Sequence, residues 1–281
     1  MLLSPTPINS RIKINASYPS IGTTFKISED MQIRAAYSKT MTYPDFLELS
    51  NSIYIDPLTS ERIIGNPDLK ASKLKNYDLR WEWYFATPDH VSLAFFYKTI
   101  SDPIEQTYKA TSNRPFLSFM NADDATIIGG EMEFSKGLGF ISDWLSYVHL
   151  GGNFALIDSE VNIKDKGILT TGKRALQGQS SYVINVQIGY DNPDSGTNIT
   201  LLYNTFGKRI RGLGIFGQPD QYQQPFNQLD LVCIQKFLKK YTLTFKVQNL
   251  LDDSVKITQG DKTFLKFKKG IDLTLSVGYK F

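Results

Sequence analysis

The amino-acid sequence predicts an all-β fold, a transmembrane antiparallel up-and-down β-barrel with about eleven strands present. Three observations support this prediction. Apolar and polar residues alternate with a period of two in about eleven segments, which is typical of strands with one face in lipid and one in water. Short and long connections alternate along the chain. The last segment alternates without an error and ends at the aromatic residue Phe281.

The predicted strands form hairpin pairs joined by residues that favour turns. The pairs are residues 18–27 and 31–41 across 28–30, 73–85 and 90–100 across 86–89, 126–136 and 144–157 across the glycine-rich 137–140, 182–190 and 197–208 across 191–196, and 226–237 and 241–250 across 238–240. Glu131 and Glu133 share one strand face, and because Met132 and Phe134 fit a lipid face, both acids are expected to point into a wet lumen.

Residues 268–281 are predicted to form the final strand. Its apolar face carries Ile271, Leu273, Leu275, Val277, Tyr279 and Phe281, and its polar face carries Asp272, Thr274, Ser276, Gly278 and Lys280. A strand of this kind that stops at an aromatic C-terminus is typical of membrane-spanning β-barrels.

The connections differ in length in a regular way. Long connections cover residues 42–72, 101–125, 158–177, 209–225 and 251–267, and they alternate strictly with the short turns. Outer-membrane barrels have short periplasmic turns and longer extracellular loops. We therefore expect unstructured extracellular loops at these positions and a C-terminus on the periplasmic side.

The odd strand number has a consequence of its own, because bacterial single-chain barrels have even numbers of strands. About eleven strands leave an open sheet, and each unpaired N–H or C=O group at its edges would cost several kcal/mol in hydrocarbon. The sequence therefore predicts the C-terminal half of a larger barrel. Doubling the count gives a 22-stranded barrel, in the size class whose lumen is filled by a plug.

Composition excludes several classes of protein. No apolar run reaches the length of about 18 residues that a transmembrane helix needs. The net charge of +3 is too small to indicate nucleic-acid binding. The single cysteine, Cys233, excludes an internal disulfide and a cysteine-based zinc cluster. Residues 1–17 are expected to be a loop or an incomplete strand, and they show neither the basic region nor the apolar region of an export signal.

Several short motifs occur in an order that is found in one family of outer-membrane proteins. They are Ser38-Lys39-Thr40, Pro44-Asp45-Phe46, Gly65-Asn66-Pro67-Asp68-Leu69-Lys70, Asn76-Tyr77-Asp78-Leu79-Arg80-Trp81-Glu82, Phe95-Phe96-Tyr97-Lys98, Pro103-Ile104-Glu105, Gly130-Glu131-Met132-Glu133, Asn249-Leu250-Leu251-Asp252 and Gly278-Tyr279-Lys280-Phe281. Residues 20–281 thereby resemble the barrel of TonB-dependent outer-membrane receptors. In that family a 22-stranded barrel surrounds an N-terminal plug, and an inner-membrane complex supplies energy through TonB.

The resemblance implies an integral protein of the bacterial outer membrane that imports a siderophore, cobalamin, oligosaccharide or peptide and is not an enzyme. The sequence shows no signal peptide, TonB-contacting segment or plug, so residues 18–281 are expected to be a partial barrel that does not transport alone. The expected partners are outer-membrane lipid, the missing plug and barrel half, the TonB complex through that plug, and an unidentified ligand. Val277, Tyr279 and Phe281 resemble the C-terminal signal that the barrel-insertion machinery reads.

Ligand contacts are expected on the long loops and the upper lumen wall. Arginine can bind carboxylates or phosphates through two parallel hydrogen bonds, and aromatic rings can stack on sugar or catechol rings. The candidates are Tyr43, Tyr54, Asp56, Arg62, Asn66, Arg114, Arg209, Arg211 and Tyr222.

No catalytic residue, metal site or cofactor is predicted. His90 and His149 neighbour no serine in a recognisable nucleophile motif. Residues 212–217 match G-x-G-x-x-G, but Gln-Pro follows and no helical pattern appears, so a loop is expected. Asp252 and Asp253 are expected to be solvated loop acids rather than cation ligands.

Two other functions fit the same strand pattern. A passive porin or an adhesin-like barrel would span the membrane without energised gating, and the coding sequence upstream would distinguish it from a receptor. A soluble β-sandwich binding module is the second alternative. A water-soluble monomer obtained without detergent would support the sandwich.

Overall fold

The computed structural model describes residues 17–57, 60–85, 89–112, 114–238 and 240–280. Phe281 and nearly all of the predicted N-terminal segment lie outside these residues. In chain order the elements are β1 (Ser20–Lys26), β2 (Met31–Thr42), α1 (Phe46–Leu49), β3 (Ile53–Ile55), β4 (Arg62–Ile64), β5 (Ser72–Tyr84), β6 (His90–Ser101), β7 (Ile104–Lys109), β8 (Phe116–Asn121), β9 (Asp124–Gly137), a 3-10 helix (Asp143–Leu145), β10 (Val148–Asn162), β11 (Lys173–Arg174), β12 (Tyr182–Asn192), β13 (Thr197–Phe206), β14 (Arg209–Gly212), β15 (Gln221–Gln223), β16 (Phe226–Phe237), β17 (Tyr241–Gln248), β18 (Ser254–Gln259), β19 (Lys262–Lys268) and β20 (Asp272–Tyr279).

The main sheet has eleven strands in the order β1-β2-β5-β6-β9-β10-β12-β13-β16-β17-β20, and β11 pairs with β10 beside this path. All neighbours on the path are antiparallel, so the sheet has the predicted up-and-down topology. Each of the eleven predicted strands is confirmed. Among the described residues β1 pairs only with β2 and β20 only with β17, so the sheet is open.

Several predicted strand boundaries differ from the structure, among them the end of β10, which lies at Asn162 rather than at residue 157, and the starts of two strands. The strand expected from residue 144 begins at Val148, because a 3-10 helix, Asp143–Leu145, occupies the preceding residues. The strand expected from residue 268 begins at Asp272, because Lys268 ends β19 in a separate hairpin. In both places a short local element lies directly before a long strand, and alternation alone does not separate the two.

The register of the main sheet separates an apolar face from a polar face, since directly paired residues lie on the same face. One row of direct pairs consists of Ile33, Trp81, Leu93, Met132, Phe154 and Ile184. The adjacent row on the opposite face consists of Gln32, Glu82, Ser92, Glu133, Asn153 and Asn185. Large side chains of the apolar face are strongly exposed, for example Phe95 at 61% and Leu275 at 68%. A continuous exposed apolar surface of this kind favours contact with lipid.

Aromatic side chains form two belts on the apolar face. At the end with the short turns, Trp83 lies 4.8 Å from Phe85, and Tyr241 lies 5.4 Å from Phe237, measured between ring centroids. Closer to the long loops, Tyr37, Tyr77 and Tyr97 pair directly across β2, β5 and β6, with centroids 5.0 and 6.2 Å apart. Aromatic belts of this kind mark the two membrane–water interfaces of membrane proteins.

The long connections are not unstructured, in contrast to the prediction. The first two of them form a four-stranded sheet, β3-β4-β8-β7, and the last two form another, β14-β15-β18-β19. Pairing between neighbouring loops satisfies backbone N–H and C=O groups that would otherwise need water. Several of these strands have only two to four residues, and a segment so short shows no usable alternation.

The loops pack on an apolar cluster over the polar face of the main sheet. The cluster contains Ile100, Ala122, Ala125, Val161, Ile163, Leu169, Ile210 and Leu213. Ile100, Ala125 and Val161 pair directly with one another and lie on the polar face at the loop end. The loops therefore fold inward, over the side that a closed barrel would enclose. No helix in the described ranges is long and apolar enough to cross a membrane.

Candidate functional site

A polar cavity of about 380 Å³ lies within the loop assembly. Four of the long connections contribute to its lining, among them the connections that carry β7 and β14. The polar lining residues are Glu48, Glu105, Gln106, Gln177, Arg209, Arg211 and Gln223. The cavity thus brings together residues that are far apart in the sequence, with two arginines of β14 on one side.

Arg209 and Arg211 give the cavity a positive side. Arg209 is half-buried; its Nε donates to Gln223 Oε1 at 3.0 Å, and its guanidinium carbon lies 4.2 Å from the centroid of the Phe206 ring. Burial, followed by the charge of Arg211, lowers the pKa of Arg209. Within the described residues neither arginine has a salt bridge to a carboxylate. Two neighbouring guanidinium groups without acidic partners favour an anion.

A buried ion pair lies beside these arginines. Arg174 Nη2 and Glu105 Oε2 are 2.8 Å apart, and the two side chains are only 3% and 7% exposed. These two atoms are not aligned for a hydrogen bond, while Arg174 Nη1 donates to the Ala175 carbonyl at 3.2 Å. Burial raises the pKa of Glu105. Arg174 and the backbone N–H of Gln177 lower this pKa, but their combined effect is smaller than that of burial. The pair joins β7 to β11 and thereby fixes two loops relative to each other.

Amide groups connect this ion pair to the arginine side. Gln177 Nε2 donates to Gln106 Oε1 at 2.6 Å and to the Arg211 carbonyl at 3.2 Å. Gln177 Oε1 is buried and accepts no hydrogen bond from the residues that the structure describes. A buried acceptor without a donor is uncommon in proteins, so the cavity offers a hydrogen-bonding position to a ligand or to water.

Tyr108 connects two loops at the edge of the apolar cluster. Its hydroxyl donates to Glu61 Oε1 at 2.7 Å. Burial and this hydrogen bond to Glu61 raise the pKa of Tyr108, while the nearby charge of Arg211 lowers it. Tyr108 is therefore a neutral hydrogen-bond donor that fixes the loop geometry next to the cavity.

The structure places the nine predicted ligand contacts in different environments. Arg209 and Arg211 line the cavity, and Tyr222 lies on neighbouring β15 beneath Lys208, whose Nζ is 3.9 Å from the ring centroid. Tyr43 is exposed and lines a separate pocket beside Glu48. Arg114 is exposed on the connection between β7 and β8.

The other predicted contacts lie on the first long loop. Tyr54 lies on β3 and Asp56 directly follows it, and both are half-buried. Arg62 stacks 4.1 Å from the centroid of Phe116, and the Asn66 amide donates to the Phe119 carbonyl at 3.0 Å. Arg62 and Asn66 therefore have structural partners within the loops, and the cavity lining does not include any of these four residues.

The polar face carries a second candidate surface, a row of directly paired polar residues that we term the polar row. It consists of Gln32, Glu82, Ser92, Glu133, Asn153, Asn185, Asn204 and Gln228. The row starts beside a short turn, at the second residue of β2, and ends beside a long loop, at the third residue of β16. It therefore crosses the face diagonally from the turn end to the loop end.

Charged pairs occupy one half of the polar row. Arg80 bridges two acids, with Nε 2.9 Å from Glu82 Oε1 and Nη2 2.8 Å from Glu133 Oε2. Arg34 Nε lies 3.0 Å from Glu82 Oε2. Glu131 and Glu133 both lie on the polar face, as the alternation predicts, and Glu133 contacts Arg80 there.

Asparagine amides occupy the other half of the polar row. Asn185 Nδ2 donates to Asn153 Oδ1 at 2.6 Å, and Asn204 Nδ2 donates to Asn185 Oδ1. A groove of about 420 Å³ runs along these residues and includes Gln228 and Asp230. Neutral amides provide both donors and acceptors, so this surface suits a polar partner.

The remaining predicted features have structural explanations. Val277 and Tyr279 lie on the apolar face of β20, and Phe281 is outside the described residues. Gly212 ends β14, and no helix follows it. Asp252 Oδ2 lies 2.6 Å from Lys268 Nζ, and Asp253 accepts backbone hydrogen bonds. No cluster of three or more His, Cys, Asp or Glu in the described ranges has the arrangement of a metal site.

Comparison by sequence gives one family. The model described as "TonB dependent receptor-like, beta-barrel" matches residues 5–250. No curated protein matches the sequence at a significant level.

Comparison by structure gives transport proteins. A variant of the ferric enterobactin receptor of Pseudomonas aeruginosa has a TM-score of 0.67 at 16% identity, covering 94% of this chain and 40% of that one. The FrpB iron transporter of Neisseria meningitidis gives 0.64 at 17%, covering 94% and 38%. The copper transporter OprC gives 0.68 at 16%, covering 93% and 39%. These similarities show a shared fold, and the chain spans about two fifths of the length of these structures.

Proposed function

Because the chain belongs to the family of TonB-dependent receptor β-barrels, we propose that its main sheet is the C-terminal half of a 22-stranded barrel that imports a scarce ligand across the outer membrane. The family consists of transport receptors rather than enzymes. One observation carries the proposal, the open eleven-stranded sheet with its two unpaired edges among the described residues. Unpaired edges are strongly disfavoured in hydrocarbon, so further strands are needed to close the sheet.

The proposed orientation follows from the connections. The short turns face the periplasm, and the long loops with their small sheets face the exterior, as in other outer-membrane barrels. β20 then ends at the periplasmic side. There Val277, Tyr279 and Phe281 form the proposed signal for the barrel-insertion machinery.

The polar row is the proposed contact surface for the plug domain. It lies on the enclosed side, and its carboxylates, guanidinium groups and amides can bond to a polar domain. A plug held by such contacts can rearrange more easily than one held in an apolar core, because polar contacts can be exchanged for water. TonB would act on the barrel through this plug.

The cavity at the loop end is the proposed site of first ligand contact. Arg209 and Arg211 have no acidic partners among the described residues, and this favours an anionic ligand. Among the four ligand classes expected from the sequence, an acidic metal chelate such as a ferric siderophore fits these charges best. The iron-related relatives support this choice.

Uptake by the complete receptor tests the proposed function. Cells that depend on this receptor would be given labelled ferric chelates, with and without a functional TonB complex. We expect accumulation only with TonB. Accumulation without TonB would support the passive porin instead, and a protein that stays out of the membrane would support the soluble sandwich.

The arginine side of the cavity can be tested by a double substitution. R209Q/R211Q should weaken binding of anionic ferric chelates at least about tenfold, since hydrogen bonds to charged groups contribute roughly 1.5–3 kcal/mol each. Binding of neutral chelates should change little. Arg114→Gln, on an exposed loop outside the cavity, is the matched control. An equal loss for neutral and anionic chelates would contradict the proposed ligand charge.

A further inference from the structure

Three lysines lie together on the apolar face at the loop end. Lys39 of β2 and Lys75 of β5 are directly paired, and Lys73 lies on the same face of β5, two residues before Lys75. The register of β2 and β5 is continuous from Met31 to Thr42, so this placement involves no bulge. We term these residues the lysine cluster, and all three are exposed.

The cluster lies one step beyond the aromatic belt. Tyr37 and Lys39 are successive residues on the same face of β2, and Tyr77 and Lys75 are successive residues on the same face of β5. The tyrosine rings pack against each other with centroids 5.0 Å apart. Since tyrosine belts lie at the level of the lipid head groups, the lysine amines reach into or just beyond that level.

The direct pairing of Lys39 with Lys75 is unfavourable for folding, so an anion bound there would stabilise the sheet. Like charges that are directly opposite each other in a sheet destabilise it. Within the described part of the chain none of the three lysines has a salt bridge. Lys136, which lies on the same face near the short turns, differs, because its Nζ is 2.6 Å from Asp89 Oδ2.

We propose that Lys39, Lys73 and Lys75 bind the phosphate groups of a lipid in the leaflet at the loop end. The inference rests on the proposed function, since it requires that the strands span a membrane. Charge complementarity selects the ligand, because a phosphate-bearing head group offers anionic oxygens at the depth that the tyrosine belt marks. The lipid would neutralise the opposed lysines and hold β2 and β5 together at the outer rim.

Lipid retention by the full receptor chain tests the proposal. The protein would be reconstituted in phosphatidylcholine nanodiscs that contain either bisphosphorylated lipid A or the same lipid after removal of its phosphates. Native mass spectrometry would then measure the lipid that stays bound. We expect the phosphorylated lipid to be retained in clear preference, and an excess of inorganic phosphate not to displace it.

K39Q/K75Q is the test variant. It should reduce the preference for phosphorylated over dephosphorylated lipid A roughly thirtyfold. This factor corresponds to about 1 kcal/mol for each of the two lysines near an anionic surface. K256Q/K266Q is the matched control, because Lys256 and Lys266 are also directly opposed but lie on the β18–β19 hairpin of a loop. The control should keep the preference.

The outcomes separate the two proposals. An unchanged preference in K39Q/K75Q, or displacement of the lipid by inorganic phosphate, would overturn the lipid site while the receptor function stands. Heat-modifiable migration in gels reports membrane insertion of the wild-type chain. Failure of the wild-type chain to insert would overturn both proposals.

Discussion

At the scale of single residues, Glu105 and Arg174 form a buried ion pair between two loops. Both are almost fully buried and each belongs to a different loop. A buried ion pair adds little net stability, because desolvation offsets its attraction. Removal of one partner is costly, since it leaves a charge buried without its counterion.

We therefore predict that Glu105→Gln destabilises the loop assembly by about 3–5 kcal/mol. E105L/R174M, which removes both charges, should lose much less. Limited proteolysis of the loops, together with urea titration of the protein in lipid, measures the effect. Glu160→Gln is the control, because Glu160 pairs with the adjacent Lys173 at 2.9 Å in an exposed position and should contribute no more than about 1 kcal/mol. Equal losses for Glu105→Gln and Glu160→Gln would contradict this account.

Asp253 is predicted to make the loop at β18 sensitive to acid. It accepts N–H groups of Asn227 at 2.9 Å and of Ser254 at 2.7 Å, and these bonds lower its pKa below the usual 3.8. A depressed pKa in the folded state adds stability above the unfolded value, and this stability is lost as the pH falls through the folded value. The protection factors of the Asn227 and Ser254 amides, that is, the intrinsic exchange rate divided by the observed rate, should therefore fall below about pH 4. In Asp253→Asn these protection factors should be lower at neutral pH and nearly independent of acid, and a variant with the wild-type profile would argue against this role.

The sequence predicted two of the residues that line the candidate cavity and missed others for a physical reason. Arg209 and Arg211 were predicted because arginine near a long loop is a general signal for anion binding. Glu105, Arg174 and Gln177 were not, although Glu105 belongs to one of the family motifs. Arg174 lies on a strand of two residues, and its role depends on a partner in another loop. No local pattern contains that information.

At the scale of elements, the two faces of β20 are predicted to respond differently to charge. Leu275 lies mid-strand on the apolar face, 68% exposed, and Ser276 is its neighbour on the polar face. Leu275→Arg should destabilise the inserted barrel by about 2–4 kcal/mol, the usual cost of arginine on a lipid face near the midplane. Ser276→Arg should cost much less, because it faces the wet side.

Urea titration in phosphatidylcholine vesicles, followed by heat-modifiable migration, measures both β20 variants. The same substitutions with lysine provide the control for side-chain shape. Similar losses for Leu275→Arg and Ser276→Arg would mean that β20 does not separate lipid from water.

Long and short elements differed in how well they could be predicted. Ten of the eleven main strands have at least eight residues, which is long enough to show alternation, whereas the strands within the long connections have two to seven. The loop strands β3, β4 and β15 have three residues each, and β4 and β15 also pair with strands of a neighbouring loop, β8 and β18. Such pairing is a tertiary effect, and the loop sequences alone do not encode it locally.

At the scale of the whole molecule, the main sheet has a direction as well as two faces. Its path contains an odd number of strands and every neighbouring pair is antiparallel, so β1 and β20 run the same way. If two copies met edge to edge to close a barrel, β1 of one copy would lie parallel to β20 of the other. Bacterial outer-membrane barrels are antiparallel throughout.

We predict that two copies of this sheet do not close into a barrel. In a Cys233→Ser background, cysteines placed at Ile21 and Leu273, the second residues of the two edge strands, should give no disulfide-linked dimer in lipid vesicles. A Thr23→Cys and Ala35→Cys pair, directly opposed in β1 and β2, is the positive control within one chain. Efficient linkage of edge strands between chains would show that the parallel seam is tolerated.

Because β1 and β20 run in the same direction, the two halves of a closed barrel cannot be equivalent. Any segment that completes the barrel has to supply an odd number of strands, and its two outer strands have to run opposite to β1 and β20. Tandem repetition of this sheet cannot produce such a segment, because a copy begins and ends in the same direction as the original. A complete barrel therefore consists of two different segments, whose edge strands run in opposite directions.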